Sequence, residues 1–247
     1  MSIKSALNTG ANKSIGFETA RQLLQQGFHV YLGSRDLSSG QAAVAKLQAE
    51  GLHEVEAVQL DVTDADSVTA ARAEISQKTD VLDVLINNAG INGGMQQSAT
   101  RMPVAIFEQV YATNVFGVVR VTQTFLDLLQ KAPQPRIVNV SSGMGSLTLH
   151  SDPTWKYYPN KGAVYHSSKA ALNMYTIILA YELRDTKLKV NAVDPGFTDT
   201  DFNNHHGTGT VEEAAARLVK YALIGEDGPT GKFFSEENNP ETGEIPW

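Results

Sequence analysis

Apolar residues along this chain follow two rhythms that alternate. Short β-rich runs read as strands: Ala6-Leu7, Phe28-His29-Val30-Tyr31-Leu32, Val55 to Leu60, Val81 to Ile86, Arg136 to Val140, Lys187 to Val193 and a last one over Gly231 to Phe234. Between them, apolar positions recur every three or four residues, the spacing that turns one helical face to a core. Ile15, Ala20, Leu23 and Leu24 form one such face. Ala43, Val44 and Leu47 form a second within Ser38 to Glu50, and Val68, Ala71 and Ile75 a third within Asp64 to Gln77. The pattern predicts one long helix over about Val104 to Lys131, ended by Pro133 and Pro135. Further helices are predicted from Tyr165 to Leu183, on Ala171, Leu172, Tyr175, Ile178 and Leu179, and from Val211 to Ile224.

Strands alternating with helices predict an α/β fold: a parallel sheet covered by helices on both faces, with ligands held at the carboxyl ends of the strands. No internal repeat, low-complexity tract or linker interrupts the pattern, so a single domain over residues 1–247 is expected. Two stretches break the rhythm and are expected to be substrate loops. Residues 144–164 contain Trp, Tyr and Pro without a clear period; residues 197–210 become polar and Gly-containing from Asp201 onward, as a mobile lid would be.

Composition narrows the class. A formal charge of −7 and a pI near 5.4 argue against nucleic acid or an anionic membrane surface as partner. No apolar run approaches the ~20 residues that span a bilayer, and the N-terminus lacks a basic-then-apolar signal, so a cytoplasmic location is expected. With no cysteine, disulfides and thiolate chemistry are absent. His205-His206 lack nearby partner ligands and read as a solvated loop, so no metal is expected.

The candidate chemistry begins at the turn Thr9-Gly10-Ala11-Asn12-Lys13-Ser14-Ile15-Gly16, which joins the first strand to the first helix. Such a turn aims free N–H groups and a helix dipole at one point, where a pyrophosphate would sit. Gly10 permits the sharp turn and Gly16 the close approach of helix to strand or ligand. At the end of the second strand stand Ser34 and Arg35. An NAD enzyme commonly has an acid there for the ribose hydroxyls, whereas a 2′-phosphate requires positive charge. Arg35, with Lys13, favours NADPH over the alternative that both are solvated surface charges. Asp61-Val62, after the third strand, could hold an adenine or simply make a turn. The fourth strand runs into Asn87-Asn88-Ala89-Gly90, so Gly10, Arg35, Asp61 and Gly90 converge on one crevice.

Tyr165 and Lys169, four apart on a helix, share a face. A phenol with a pKa of about 10 is a poor acid or base near neutrality, and a cation within ~4–6 Å lowers it by roughly 1–3 units. Ser142, after the fifth strand, could donate to a substrate carbonyl as an oxyanion donor does. Asn114 sits in a predicted helix, where its side chain competes for backbone groups; a buried functional Asn is the sharper interpretation. Tyr157 and Lys161 repeat the Y-x-x-x-K spacing, but Pro159 between them breaks a continuous helix, which leaves Tyr165 as the choice. His166, beside Tyr165, is expected to point away from the site because neighbours on a helix do not share a face.

Taken in order, T-G-x-x-x-x-x-G at Thr9 to Gly16, Asp61-Val62, N-N-A-G at Asn87 to Gly90, Asn114, Ser142, Tyr165 to Lys169 and Pro195-Gly196 resemble a short-chain dehydrogenase/reductase over nearly the whole chain. The resemblance implies a seven-stranded Rossmann fold, strand order 3-2-1-4-5-6-7, and hydride transfer between a nicotinamide and a carbonyl or alcohol carbon. It also implies roles. Tyr165 would be proton donor and acceptor. Lys169 would bind the nicotinamide ribose and lower the phenol pKa, Ser142 would orient the carbonyl, and Asn114 would hold a relay water. Asp61 and Val62 would contact adenine, and Asn88, Ala89 and Gly90 would line the adenosine ribose. Pro195, Gly196, Thr198 and Thr200 would contact the cofactor, Thr200 at the carboxamide. Lys13 and Arg35 match the basic pair of NADPH-preferring members. Three features depart from the pattern: Ser14 where the middle glycine is usual, polar Asn8 in an apolar strand position, and a 23-residue gap from Ser142 to Tyr165, like the lengthened region of carbonyl-reductase-like members. That insertion bears on subunit contacts and leaves a homo-oligomer open.

The expected function is an NADPH-dependent carbonyl reductase acting on an apolar ketone or aldehyde of moderate size, with Met144, Leu147, Trp155, Phe197 and Phe202 as candidate pocket wall. The alternatives are a 3-oxoacyl carrier-protein reductase, whose acidic carrier fits poorly with a charge of −7, and a dinucleotide-sensing binding protein without turnover.

Overall fold

A computed structural model describes residues 3–247; the first two positions of the expected domain lie outside the described residues. One parallel sheet runs in the order β3-β2-β1-β4-β5-β6-β7. Its strands are β1 (Ser5–Asn8), β2 (His29–Ser34), β3 (Val55–Gln59), β4 (Val84–Asn87), β5 (Arg136–Val140), β6 (Lys189–Val193) and β7 (Lys232–Phe234). The helices are α1 (Ser14–Gln25), α2 (Leu37–Ala49), α3 (Ala65–Ser76), α4 (Val104–Tyr111), α5 (Val118–Gln130), α6 (Leu147–Ser151), α7 (Ala163–Glu182) and α8 (Val211–Ala222).

The two-residue period of the strands divides the core between the two faces of the sheet. Ala6, Val30, Val84, Ile86 and Val138 face α1, α2 and α8, meeting Leu23, Leu24, Leu47, Leu218 and Tyr221. Their neighbours Leu7, Tyr31, Leu85 and Ile137 face α3, α5 and α7, meeting Val68, Ile75, Phe125, Leu128 and Leu179. Each fully buried Leu, Val or Phe contributes about 1.5–3 kcal/mol, so a one-residue register slip would lose a whole face. Among the described residues no helix is long and apolar enough to cross a membrane.

Three expectations need correction. The fourth strand begins at Val84; Asp83 lies before it, buried, and accepts the Ser5 backbone N–H at 2.8 Å, tying the starts of β1 and β4 together. The predicted helix 104–131 is interrupted by a π-helical turn over Ala112–Gly117. Close packing coincides with the interruption: a Cβ added at Gly117 would lie 2.7 Å from Val62 Cγ2. The aperiodic residues 144–164 contain α6, and the expected lid contains a 3-10 turn over Asp201–Asn203.

Candidate active site

At the carboxyl ends of β1 and β4, two loops are fastened to each other. Gly10 adopts a left-handed backbone, φ +63°, and an added Cβ would come within 3.0 Å of Ala89 Cα. Asn88 Nδ2 donates to the Thr9 and Gly10 carbonyls at 2.9 and 3.0 Å, and Thr9 Oγ1 accepts the N–H groups of Asn88 and Ala89, both at 3.0 Å. The Asn88 amide is thus spent on holding the loops together, which leaves backbone of Ala89 and Gly90 to face the crevice. A Cβ at Gly16 would strike Asn88 Nδ2 at 2.5 Å, so this glycine serves loop packing. Asn8 finds its reason here too: its Nδ2 donates to the Gly16 carbonyl at 2.9 Å.

The amino end of α1 suits a phosphate. Lys13 occupies its cap position without a capping side-chain bond, and the first turn carries no acid, so no side chain of that turn competes for the opening N–H groups; Asp201 is paired with the Lys13 ammonium instead. Asn12 is half-buried beside this end, and Ile15 packs against the core under it. Ser14 has φ +55°, a left-handed conformation that favours glycine.

Around the expected adenosine end, the structure redistributes the predicted roles. Ser34 is buried, donates its hydroxyl to the Asp36 carbonyl at 2.8 Å and faces Gly40 of α2, so that hydroxyl is not offered to the crevice. Asp36, the nearest acid, caps α2. Its carboxylate takes the Ser39 hydroxyl, the Ser38 hydroxyl and the Ser39 N–H, bonds that bring its pKa down to about 2. Arg35, between them, is exposed and has no ion-pair partner among the described residues. Asp61 Oδ1 accepts from Thr63 N–H and Oγ1 at 2.9 and 2.7 Å, the turn geometry that was its plainer interpretation, and Val62 is buried against Gly117.

The chemistry gathers on α7. Gln97 reaches from the loop after β4 and accepts the N–H groups of Val164 and Tyr165 at 3.1 and 2.8 Å, supplying the cap that Gly162 lacks. Buried polar pairs hold α7 against the sheet, Asn139 to Thr176 at 2.9 Å and Ser141 to Asn173 at 2.6 Å, and Asn87 of β4 donates to Asn139 of β5 at 2.8 Å behind them. Asn114 is fully buried in the π turn. It exchanges two 2.9 Å bonds with the backbone of Ile91 and donates to Ser168 Oγ at 3.0 Å, while Ser168 donates to the Tyr165 carbonyl at 2.7 Å. Both amide hydrogens of Asn114 are therefore committed to holding loop and helix, leaving none for a water. A Cβ placed at Gly90 would lie 3.5 Å from Asn114 Oδ1 and 3.7 Å from Lys169 Nζ, so the three predicted residues meet at one point.

Lys169 is buried, donates to the Val140 carbonyl at 2.7 Å and lies 5.6 Å from the centre of the Tyr165 ring. Burial lowers its pKa to about 8, against the pull of Asp194. The phenol of Tyr165 is enclosed although part of its ring stays exposed. Its pKa is pushed up, first by burial; the Ser142 hydroxyl acts the other way as a hydrogen-bonding neighbour, and Asp194 adds to the rise. Burial outweighs the Ser142 hydroxyl, so the direction is upward where the Tyr–Lys spacing alone predicts a lowering.

Phe202, from the Asp201–Asn203 turn, stacks edge-on against Tyr165 with ring centres 5.4 Å apart. The segment carrying it is fastened: Thr208 N–H donates to the Phe197 carbonyl at 2.8 Å, Asn92 Nδ2 to the Phe202 carbonyl at 2.6 Å, and Lys13 pairs with Asp201 at 2.8 Å. Thr198 and Thr200 are buried at its base, beyond the Pro195-Gly196 turn. His205 sits between Asp199 and Asp201 at 2.6 and 3.1 Å. Of the other expected wall residues, Leu147 lies on the exposed side of α6, Met144 is half-buried, Phe197 is partly exposed, and Trp155 packs on His150 and Tyr157. His166 stacks on His150 at 4.8 Å, and burial brings its pKa down to about 4, so it is neutral at physiological pH.

Tyr157 is employed elsewhere. Its hydroxyl donates to Glu237, and Lys161 donates to the His150 carbonyl at 2.9 Å, so the decoy pair is split. Glu237 belongs to residues 235–247, which sequence reasoning passed over and which brace the 144–164 loop. Trp155 Nε1 donates to Asn238 Oδ1 at 2.9 Å, Ser146 to the Pro246 carbonyl at 2.7 Å and Thr148 N–H to the Trp247 carbonyl at 3.0 Å. Gln97, Asn139, Asp194 and Glu237 were the other omissions. Polar residues in loops or strands carry no period, so only the D-P-G turn at Asp194 offered a signal.

A nucleotide-type crevice at the strand ends, with a Tyr, Lys and Ser set on its floor, defines a dinucleotide-dependent oxidoreductase site of the Rossmann class. The family described as short chain dehydrogenase matches residues 4–210, and the chain belongs to it. Short-chain dehydrogenase anuI of Penicillium roqueforti is 35% identical over 238 residues, covering 94% of each chain. Among solved structures, salutaridine reductase from Papaver somniferum is 32% identical with a TM-score of 0.82, over 94% of this chain and 99% of that one. NADPH-bound carbonyl reductase from chicken fatty liver is 28% identical with a TM-score of 0.85, over the full length of both.

Proposed function

We propose that this protein reduces a ketone or aldehyde with NADPH, with Tyr165 as proton donor. The whole chain serves one site, with residues 144–164 and 197–210 as the substrate loops. The observation that carries this is the phenol of Tyr165 beside Ser142 and Lys169, on the floor of a crevice whose phosphate-binding end has no acid in the first turn of α1 and an exposed Lys13 at its cap. NADPH, when bound, supplies the hydride for the carbonyl carbon. The protein supplies the rest. Ser142 donates to the carbonyl oxygen, and Tyr165 delivers its proton to that oxygen as charge develops there. Lys169, charged below about pH 8, steadies the phenolate left behind and presents its ammonium to the ribose. Asn114 and Gln97 hold α7 and the loop after β4 in register, and Phe202 keeps water off the phenol.

The cofactor preference follows from Arg35. It is the exposed cation at the end of β2, while the neighbouring acid is occupied in capping α2. Lys13 is a second cation; its exposed pair with Asp201 is worth only about 0–1 kcal/mol, so a phosphate can displace it. The relatives support the same assignment, since one solved neighbour is an NADPH-bound carbonyl reductase and others are named salutaridine reductase and (+)-neomenthol dehydrogenase. A steady-state panel of aryl ketones, diketones and acyl thioesters with NADPH and NADH tests it. Tyr165→Phe is expected to lower kcat/KM by about 10²–10⁴-fold at unchanged melting temperature. A Tyr165→Phe protein that stays folded and keeps its turnover removes the proposal.

A further inference from the structure

Asp194, at the end of β6, is a buried acid that no proposed step uses. Its surroundings join three segments. Oδ1 accepts the Gly196 N–H at 3.0 Å, on the Pro195-Gly196 turn. Oδ2 accepts the Ser235 hydroxyl at 2.6 Å, and its own N–H donates to the Phe234 carbonyl at 2.8 Å. The Gly143 N–H is turned toward the carboxylate, and a Cβ at Gly143 would come 3.1 Å from Oδ2, so the chain directly after Ser142 is pressed against it.

We propose that Asp194 is a positioning residue for the reduction: its carboxylate ties the Pro195-Gly196 turn to Ser235 and backs the chain directly after Ser142, fixing where the Ser142 hydroxyl stands relative to that turn. The proposal rests on the Tyr165 and Lys169 roles given above. Two effects follow from one group. Geometrically, a side chain that binds Gly196 and lies against Gly143 sets the distance between the hydroxyl that orients the carbonyl and the turn that borders the nicotinamide end. Electrostatically, the charge raises the pKa of both Tyr165 and Lys169, opposing for the lysine the drop that burial imposes. The other ionisable groups around it are accounted for. Glu237 of the terminal segment raises the Asp194 pKa and bonds the Phe197 N–H; Tyr157 of the substrate loop bonds Glu237; Arg217 of α8 donates to the Pro195 carbonyl. Burial pushes the Asp194 pKa up, while the Ser235, Gly196 and Gly143 donors favour its ionised form.

The test is the pH profile of kcat/KM for ketone reduction in wild type, Asp194→Asn and Ser235→Ala. Asp194→Asn keeps the shape and removes the charge, so both donors release their protons more readily. The alkaline limb is expected to move to lower pH by about 1 unit, kcat/KM near pH 8 to fall about fivefold, and KM for NADPH to stay within about threefold. Ser235→Ala keeps the carboxylate and is expected to leave the limb in place. Because the limb's position does not depend on how much protein is folded, a destabilised Asp194→Asn still reports. A superimposable profile, with activity lost only in proportion to folded protein, overturns the proposal for Asp194. It leaves the wider proposal standing as long as Tyr165→Phe abolishes turnover.

Discussion

Two tyrosines with the same Y-x-x-x-K spacing meet different fates. Pro159 keeps Tyr157 off a helix, and its phenol is taken by Glu237; Tyr165 opens α7 and is enclosed with Lys169 one turn on. Single side chains likewise decide the nucleotide end. Since the Asp36 carboxylate is bonded into the α2 cap, Arg35 is the charged side chain left without an ion-pair partner at that strand end among the described residues, and Arg35→Asp is expected to lower the NADPH-over-NADH ratio of kcat/KM at least about tenfold. An unchanged ratio would count against the cofactor assignment. Ser14 stores strain in its left-handed backbone. Ser14→Gly releases about 1–2 kcal/mol of that strain and costs roughly 0.5–1 kcal/mol in chain entropy, so a net gain of roughly 0.5–1 kcal/mol in urea unfolding is expected. Loss of stability on this change would mean the hydroxyl serves the fold.

At the level of elements, the segment 104–130 shows how periodicity can be right about a helix and silent about its kind. Every apolar position from Val104 to Gln130 fits a single α-helix, yet six residues adopt the π form. One added residue in the turn lets Asn114 face Ile91 and Ser168. Gly117 is what allows this turn to press on Val62. Ordinary helix propensity favours alanine over glycine by about 1 kcal/mol, while overpacking costs about 1–3 kcal/mol. With Val62 Cγ2 only 2.7 Å from the added carbon, the clash prevails. Gly117→Ala is therefore expected to destabilise by about 1–2 kcal/mol and to raise KM for NADPH through Val62. A gain in melting temperature would refute that account.

For the molecule as a whole, the titration of the site is a property of the assembled sheet and helices. Lys169 loses its solvent because α7 closes over β5, and its pKa falls to about 8. The sign follows: the ammonium is present below that pH and is lost above it, and Tyr165, raised by burial, keeps its proton across the same range. Ketone reduction is expected to be level from pH 6 to about 7.5 and to decline through pH 8–9, measured as kcat/KM at saturating NADPH. A profile that rises through this interval would assign the limb to another group. The same assembly brings Phe202 onto Tyr165 and residues 235–247 onto the 144–164 loop, so the candidate site is framed by segments far apart in the chain.

The sequence by itself determined most of the strands and helices and the alternation that makes the sheet parallel, because periodicity and helix spacing are local facts that neighbouring residues carry. The order 3-2-1-4-5-6-7 follows from the family resemblance, and Tyr165, Lys169, Ser142 and Asn114 are candidates that the fold brings together. Tertiary structure alone decided that Ser34 turns away from the crevice, that Asn114 and Asn88 spend their amides on loop packing, and that Tyr165 rises in pKa where a lone Tyr–Lys pair would fall. Those outcomes depend on which groups lose water and which find partners from distant segments. Desolvation and long-range hydrogen bonding leave no period along a chain.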